Sequence, residues 1–387
     1  MDKYLFNEND GLFRAVEEFC DGHFSEERVS RWVQSRGLPQ DVYDDILASE
    51  LGALFAPPPL AGGDCSFQDR VRFVAHITRR AGATLPFLSD MLSAALLSCM
   101  GRRSQEEIAD AYAQSSRRVL FSQAFSETNA GSDASAVRTA VTVDGDGVFL
   151  DGCKTFVSNG QFAPQTLVLA HDPVFGGKDG GLSLWLVPLS TPGVSTYPLQ
   201  TMGQEMLASA TIEFSHARLD EQWRIRTDGR LDGMLKRQYE LGRILVCASS
   251  LGLACAAMDD ACRYAVTHFV KGRRLGSIPQ IQDKIADMEV RLRAMEHFVW
   301  DAACAVDSDT AGDDMHLLCA LMKRFVPTAA TEVASDALQI FAGIGYTDQT
   351  RIGRIWRDCR GNQIAQGTDE IMSRIVSRFV IGGSVSE

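Results

Sequence analysis

Two segments in the middle of the chain combine residue types that can hold a flat or oxygen-rich ligand. Residues 126–133 read Ser-Glu-Thr-Asn-Ala-Gly-Ser-Asp after an apolar run, and their small side chains let backbone N–H groups approach ligand oxygens. In residues 151–160, Phe156 and Ser158 share one face of a predicted strand, where a ring can cover a flat ligand and a hydroxyl can bond its heteroatom. Either segment taken alone is also typical of an ordinary turn.

Two further segments lie in the last third of the chain. Residues 339–346 read Gln-Ile-Phe-Ala-Gly-Ile-Gly-Tyr, and the glycines that end this predicted helix serve as a C-cap or as a place where a ligand passes close. Residues 357–371 include Thr368, Asp369 and Glu370, which is N-capping chemistry for a last helix. Neither segment alone separates a ligand site from ordinary helix capping.

Charge and motif content exclude several function classes. The 387 residues carry 50 acidic and 38 basic side chains, a net charge of −12, which opposes binding to nucleic acid or anionic membranes. The ten cysteines show no Cys-x-x-Cys spacing, and no metal-ligand, P-loop, Gly-x-Ser-x-Gly or strand-linked Gly-x-Gly-x-x-Gly motif is present. No apolar run reaches the roughly 18 residues of a membrane helix. Since Met1–Leu5 leads straight into an acidic amphipathic segment, we expect a cytoplasmic protein that spans no membrane.

The hydrophobic pattern changes twice along the chain. Helical spacing, as in residues 10–20, continues to about residue 118, short β-type runs follow to about residue 226, and long helical patterns fill the rest. We predict an α+β protein with an all-α domain at 1–118, a β-domain at 119–226 and a helical bundle at 227–387.

The last region contains a regular apolar seam whose members follow alternating steps of four and three residues. The seam consists of Ile281, Ile285, Met288, Leu292, Met295, Val299, Ala302 and Val306. Such spacing predicts a helix packed into an antiparallel bundle, and core packing accounts for these side chains without a ligand.

Taken together, the four segments resemble a known family in order and spacing. SETNAGSD, KTFVSNG, QIFAGIGYT and RDCRGNQIAQGTDEI resemble, in turn, the flavin-binding, flavin-wall, cross-subunit and active-site stretches of acyl-CoA dehydrogenases, and the resemblance covers nearly the whole chain. It implies an N-terminal helical domain, a middle β-sandwich or barrel and a C-terminal antiparallel four-helix bundle. It also implies bound FAD, an acyl thioester substrate and a homotetramer or dimer.

The resemblance also implies roles for individual residues. Those expected to bind FAD are Gln123, Phe125, Ser126, Gly131, Ser132, Phe156, Ser158, His268, Lys271, Gln339, Ala342, Gly343, Thr368 and Glu370. Those expected to contact the thioester are Ser132, Tyr239, Arg243 and Gly367. Within the first set, Gln339, Ala342 and Gly343 correspond to positions that hold the FAD of a neighbouring subunit.

The chain departs from the family at the catalytic base. The family has Glu directly before Gly-Thr, but Gln366 stands there, and an amide cannot take the substrate α-proton at neutral pH. A subset of the family places its Glu directly before the Arg of an earlier helix, where this chain has Gly242 before Arg243. Glu240 is a fallback base, although two residues along a helix turn it about 200° away from Gly242.

The residues expected to bind the cofactor pyrophosphate depart from the family as well. His268 aligns with an Arg that binds the pyrophosphate, Lys271 aligns with an aromatic residue, and Pro279 replaces a usual Gln. Lys271, Arg273 and Arg274 can still neutralise a pyrophosphate, although the same cluster is also typical of a solvated helix end.

Three functions are consistent with these residues. The first is an FAD-dependent oxidoreductase of acyl-CoA or acyl-carrier thioesters, which dehydrogenates the substrate or reduces an enoyl thioester, similar to crotonobetainyl-CoA reductases. The second is a non-catalytic or half-catalytic subunit of a hetero-oligomer, in which a related partner supplies the carboxylate and part of each FAD site. The third is a flavin monooxygenase on the same fold.

Overall fold

The chain is represented by a computed structural model that describes residues 5, 10–55, 65–98, 121–133, 136–145, 147–175, 177, 181–227, 229–308 and 312–382. The predicted boundary between residues 118 and 119 lies outside these ranges. The predicted boundary between residues 226 and 227 falls in a connection between a strand and a long helix.

The first region is helical, as its apolar spacing predicts. Its helices are α1 (Gly11–His23), α2 (Glu26–Gln34), α3 (Gln40–Ala48), α4 (Phe67–Ala81) and α5 (Phe87–Ser98). The Asp10 side chain caps α1 by accepting from the backbone N–H of Leu12. Ser66 and Asp69 form a reciprocal capping box at the start of α4. Local polar residues therefore fix where these two helices begin.

The middle region is an eight-stranded sheet. Its strands are β1 (Phe121–Ala124), β2 (Ala140–Asp144), β3 (Gly147–Val157), β4 (Gln165–His171), β5 (Leu182–Pro188), β6 (Val194–Pro198), β7 (Ala210–Leu219) and β8 (Arg224–Ile225). The strand order is β6-β7-β3-β2-β4-β5-β8, and β1 pairs with β4 in parallel. In β7 the buried Ile212 and Phe214 flank the exposed Glu213, the alternation typical of a strand with one face toward the core.

The last region is a bundle of long helices. They are α6 (Leu231–Thr267), α7 (Pro279–Ser308), α8 (Met315–Phe341), α9 (Ile352–Ile364) and α10 (Asp369–Ile381), with a short hairpin of β9 (Phe269–Val270) and β10 (Arg273–Arg274) after α6. The predicted seam lies on α7, where its central members from Met288 to Ala302 are buried and its ends pack against the core. The α+β class and the helix–sheet–bundle layout are confirmed.

Helix α6 is apolar and long enough to cross a membrane by length and composition, but most of its apolar stretch is buried inside the protein. It packs against α4, α7, α8 and α9. Such burial on several sides is typical of the central helix of a bundle.

Two apolar clusters meet near the start of α6. One joins the N-terminal helices to the bundle. The other joins the end of α5, the strands β1, β4 and β5, and Leu231 and Leu235 of α6. Phe125 and Tyr239 both pack against this second cluster, so the segment after β1 and the first turns of α6 share one wall.

A buried carboxylate links the three regions. Asp358 of α9 accepts from the backbone N–H of Thr84 at 2.7 Å and from that of Gln204 at 2.6 Å. Burial raises the pKa of Asp358 to about 6, although these two N–H groups act in the opposite direction. The N-terminal helices and the sheet are therefore both tied to α9 through one side chain.

Candidate functional site

A buried ion pair fastens the segment after β1 to strand β3. The Lys154 ammonium is fully buried and donates to Glu127 Oε1 at 2.8 Å and to the Phe125 carbonyl at 3.1 Å. The backbone N–H of Thr155 donates to the Ser126 carbonyl at 2.9 Å. Predicted flavin contacts on two separate segments are thus held at a fixed spacing.

The Glu127 carboxylate also collects backbone donors. It accepts from the N–H of Arg138 at 2.8 Å and from that of Thr139 at 2.9 Å. Burial alone would raise the pKa of Glu127, but the Lys154 ammonium and these N–H groups outweigh it and lower the pKa to about 2. Glu127 is therefore ionised at neutral pH and serves this clamp rather than proton transfer.

Phe156 is an exposed aromatic in an unusual backbone conformation. Its φ is 56° and 68% of its surface is exposed, beside a register irregularity of β3 between Lys154 and Val157. Because β3 ends at Val157, the single strand face expected for Phe156 and Ser158 is not formed. The ring instead stands out beside the clamped segment, free to cover a flat ligand.

Three more residues predicted to bind cofactor lie around this segment. Gln123 of β1 donates its Nε2 to Ser93 Oγ of α5 at 3.2 Å. Gly131 and Ser132 are exposed, and no described atom lies within 4 Å of where a Cβ at Gly131 would be. A ligand can therefore approach the backbone here closely.

The turn before α10 has a strained backbone that two cations bind. Gln366 and Gly367 both have positive φ, 56° and 104°. Arg243 Nε of α6 donates to the Gln366 carbonyl at 3.3 Å. Lys323 Nζ of α8 donates to the carbonyls of Gln363 at 3.3 Å and Gly367 at 3.1 Å.

The Gln366 carboxamide lies directly against Gly242. A Cβ at position 242 would be 2.8 Å from both Cδ and Oε1 of Gln366. The two positions at which the family carries its base are therefore in contact, and neither carries a carboxylate in this chain.

Glu240 faces away from this contact. Its Oε1 lies 3.4 Å from His316 Nδ1 of α8 and its Oε2 lies 3.9 Å from Arg237. The carboxyl is buried beside a cavity of about 130 Å³ that is also lined by Lys236 and Met315. Glu240 and Gln366 thus lie on different sides of α6, as the helical period implies.

Arg243 is only 5% exposed, and its Nη1 has no hydrogen-bond partner among the described residues. Burial lowers the pKa of its guanidinium, and the neighbouring Glu240 and Tyr239 partly offset that effect. Burial also raises the pKa of Tyr239, so its phenol stays protonated at neutral pH. The face of α6 that meets the turn therefore offers donors rather than a carboxylate.

Two other predicted cofactor residues, His268 and Lys271, lie at the far end of α6. His268 ends that helix and stacks on Tyr264, which also stacks on Phe341 at the end of α8, with ring centroids 4.6 Å and 4.4 Å apart. The exposed Lys271 lies in the β9–β10 hairpin, with a φ of 49°. The stacked rings and the hairpin form an exposed edge that joins the end of α6 to the end of α8.

That edge includes the end of α8. Gln339, Ala342 and Gly343 are exposed there, and Ala342 has a φ of 54°. The distance along α6 from Arg243 to His268 is about 37 Å at 1.5 Å per residue. Within one chain, the edge is therefore remote from the Gln366 turn.

The start of α10 follows the predicted capping pattern only in position, because the Thr368 side chain accepts no hydrogen bond from the backbone of the first turn. Thr368 is the N-cap residue. A hydrogen bond from the Thr368 side chain lowers the pKa of the exposed Glu370. Both lie next to the Gln366–Gly367 turn in sequence, at a helix N-terminus that favours negative charge.

Sequence reasoning missed Lys154 and Lys323, the two buried lysines that hold these segments. A signal existed for each. Lys154 lies inside the predicted segment 151–160, at a buried position of β3, and Lys323 falls on the apolar stripe of α8 with Cys319, Val326 and Ala330. A charged residue at a core position calls for a partner, but the partners are distant in sequence.

Similarity to known proteins agrees with this layout of helices, sheet and bundle. The family model for the middle domain of acyl-CoA dehydrogenases matches residues 122–217, and that for their C-terminal domain matches residues 233–381. The fold and the contacts around the two clamped segments therefore belong to a flavoprotein oxidoreductase class. The chain is a member of the acyl-CoA dehydrogenase family.

Individual relatives extend over the whole chain. A probable acyl-CoA dehydrogenase of Escherichia coli K12, YdiO, is 28% identical over 386 residues, with 98% of each chain covered. The crystal structure of an acyl-CoA dehydrogenase from Slackia heliotrinireducens is 34% identical, covers 96% of each chain and has a TM-score of 0.85. A glutaryl-CoA dehydrogenase from Mycobacterium smegmatis in complex with FADH2 is 17% identical, with a TM-score of 0.87 and 99% and 97% of the two chains covered.

Proposed function

We propose that this chain binds FAD and acts on an acyl thioester, by dehydrogenating it between its α and β carbons or by reducing the enoyl thioester. The observation that carries the proposal is the shared wall on which Phe125 and Tyr239 pack, because it brings the clamped segment beside the α6 face that contacts the Gln366 turn. A flat ring and a thioester chain would then meet between the sheet and the bundle.

The residues present fit FAD. Phe156 offers an uncovered ring, Ser126 and Ser158 offer hydroxyls nearby, and the open backbone at Gly131 suits ligand oxygens. The M. smegmatis relative contains reduced FAD, which supports the same cofactor in a chain of this fold. When bound, FAD supplies the hydride acceptor or donor of the reaction.

The residues that bind the pyrophosphate of FAD would come from a second copy of the chain or from a homologue. Since the edge with His268, Lys271 and Gln339 is about 37 Å along α6 from the turn, it suits a flavin held mainly by a neighbouring subunit. Exposure of the edge leaves it available for that role. A homotetramer or dimer in the cytoplasm stays the predicted assembly and location.

The carboxamide of Gln366 cannot accept the α-proton, and Glu240 is a weak substitute because its carboxyl lies beside His316. We therefore propose that unaided dehydrogenation is slow. Enoyl reduction passes through the same proton transfer in reverse and needs a donor at the α-carbon, so the missing group slows both directions unless solvent or a partner subunit supplies the proton.

A half-catalytic subunit of a hetero-oligomer is the second candidate. The specific observation in its favour is that Gln366 occupies the space that a side chain at position 242 would need. Neither of the two positions that correspond to the family's base carries a carboxylate. A partner with a complete site would then supply proton transfer for the pair.

Visible spectroscopy of the purified protein tests both. A yellow protein whose flavin bleaches with a saturated acyl thioester, or whose dithionite-reduced flavin is reoxidised by an enoyl thioester without oxygen, supports the oxidoreductase. A colourless protein that gains flavin only when a homologue is co-expressed supports the subunit. A colourless protein that takes up no flavin under either condition would refute both.

A further inference from the structure

Lys323 is a fully buried cation beside the proposed active site. It lies on α8, and its ammonium donates to the carbonyls of Gln363 and Gly367 at 3.3 Å and 3.1 Å. Arg243, from α6, donates to the carbonyl of Gln366 between them at 3.3 Å. Two helices thus each supply a buried cation to residues 363–367, which comprise the end of α9 and the turn that follows it.

The hydrogen-bond partners of Lys323 are neutral. A buried ammonium usually pairs with a carboxylate, because it has lost the stabilisation that water gives it. Asp369 is the nearby acid, but its Oδ2 accepts from Gln363 Nε2 at 2.6 Å and from Thr328 Oγ1 at 3.3 Å. Lys323 is therefore bonded to the turn itself rather than to an ion-pair partner.

The conformation of the turn requires such support. Gln366 has a φ of 56°, in the left-handed region that residues with a side chain disfavour, and Gly367 follows with a φ of 104°. Strained residues of this kind persist only where their surroundings over-determine them. Arg243 binds the backbone carbonyl of Gln366 and Lys323 binds that of Gly367, so the peptide planes that follow these two residues cannot rotate without breaking these bonds.

We propose that Lys323 positions the Gln366–Gly367 turn and so fixes where the side chain at position 366 meets α6 at Gly242. The consequence for a bound thioester rests on the proposed function. The positioning itself does not, because it is a property of the chain without ligand. Lys323 is thus a positioning residue and not one that touches the reacting atoms.

Amide hydrogen exchange of the full-length protein tests the positioning directly. Lys323→Met should accelerate exchange at residues 363–372 by about ten- to hundredfold, since a hydrogen bond to a charged group is worth roughly one to two tenfold steps. Lys154→Met is the matched control, because Lys154 is equally buried but lies in the sheet. It should accelerate exchange more near residues 125–133 and 136–139 than at 363–372, whereas Lys323→Met should show the opposite order.

Two results would overturn the positioning role. One is unchanged exchange at 363–372 in Lys323→Met. The other is an equal acceleration in every region, which would make Lys323 a general stability residue. If the methionine variant does not fold, Lys323→Gln, whose shorter side chain carries no charge, gives the same comparison, and Lys323→Arg, which keeps the charge and the donors, should keep the protection of the parent protein.

A kinetic cycle separates this inference from the proposed function. In the flavin-loaded protein, Lys323→Met should cancel most of the gain in flavin bleaching that Gln366→Glu produces, with little change in thioester Kd. An equal gain with and without Lys323 contradicts the positioning role. If no variant bleaches with any thioester, the proposed function fails while the exchange result still decides the role of Lys323.

Discussion

Gln366→Glu is the substitution that most directly tests the placement of the active site. The Gln366 side chain already lies against α6, 2.8 Å from where a Cβ at position 242 would be, and Arg243 donates to the backbone carbonyl of Gln366. Glutamate has the same shape as glutamine, so the change adds a proton acceptor and a charge without adding volume. The buried guanidinium of Arg243 should help to keep the new carboxylate ionised.

The expected gain follows from what a positioned base contributes. General base catalysis is worth about 10²- to 10⁴-fold, so the rate of flavin bleaching by a saturated acyl-CoA should rise by that factor. Anaerobic stopped-flow absorbance measures this rate, and spectral titration gives the thioester Kd separately. The placement is refuted if the variant keeps its flavin and binds thioester as tightly as the parent, yet bleaches no faster.

Gly242 supplies a control for the geometry. Gly242→Glu alone should give no gain, because its Cβ would meet Cδ and Oε1 of Gln366 at 2.8 Å. Adding Gln366→Gly removes that obstacle and suits the φ of 56°, so the double variant should regain a base at the second family position. A Gly242→Glu single variant as active as the double would show that the two side chains do not compete for one space.

Two further substitutions test the buried groups that hold the fold. Lys154→Met leaves the Glu127 carboxylate buried without its cation, so the free energy of unfolding should fall by about 3–5 kcal/mol in urea titrations, and Glu127→Gln in the same chain should recover part of it. Asp358, whose pKa is raised to about 6 by burial, contributes stability that is fully present below its unfolded pKa of about 3.8 and is lost as the pH rises through 6. Relative to Asp358→Asn, the parent should therefore lose up to about 3 kcal/mol between pH 4 and pH 7, and parallel curves for the two proteins would contradict this assignment.

The fold could be predicted from the sequence because the hydrophobic patterns that indicate its helices and strands are local. The seam from Ile281 to Val306 repeats along a single helix, and the alternation of Ile212, Glu213 and Phe214 repeats along a single strand. Each pattern reports its own element without knowledge of the rest of the chain. The order of helices, sheet and bundle follows from these local signals read in sequence.

The arrangement of the candidate site could be predicted from the sequence only in part. Residue types at positions 366 and 242 indicated a missing base, but their mutual contact joins segments 124 residues apart. The two lysine clamps are also non-local, since Lys323 binds carbonyls 40 and 44 residues further along the chain. The positive φ of Phe156 arises where β3 loses its register against β7, and no property of phenylalanine predicts it.

The loss of the base and the retention of the cations together alter the charge of the site. With glutamine at position 366, Arg243 and Lys323 remain buried beside the turn, while Glu240 contacts His316 and Asp369 bonds to Gln363. In the proposed function, such a site would stabilise negative charge that develops on a thioester oxygen, but none of these four side chains is placed to take the α-proton. Charge stabilisation serves both directions of the reaction, and so would the missing group, because a base that takes the α-proton in dehydrogenation is, once protonated, the acid that returns it in enoyl reduction. The residues that this chain keeps would therefore stabilise charge on a thioester oxygen in either direction, and the residue that it lacks is the one that would move the α-proton.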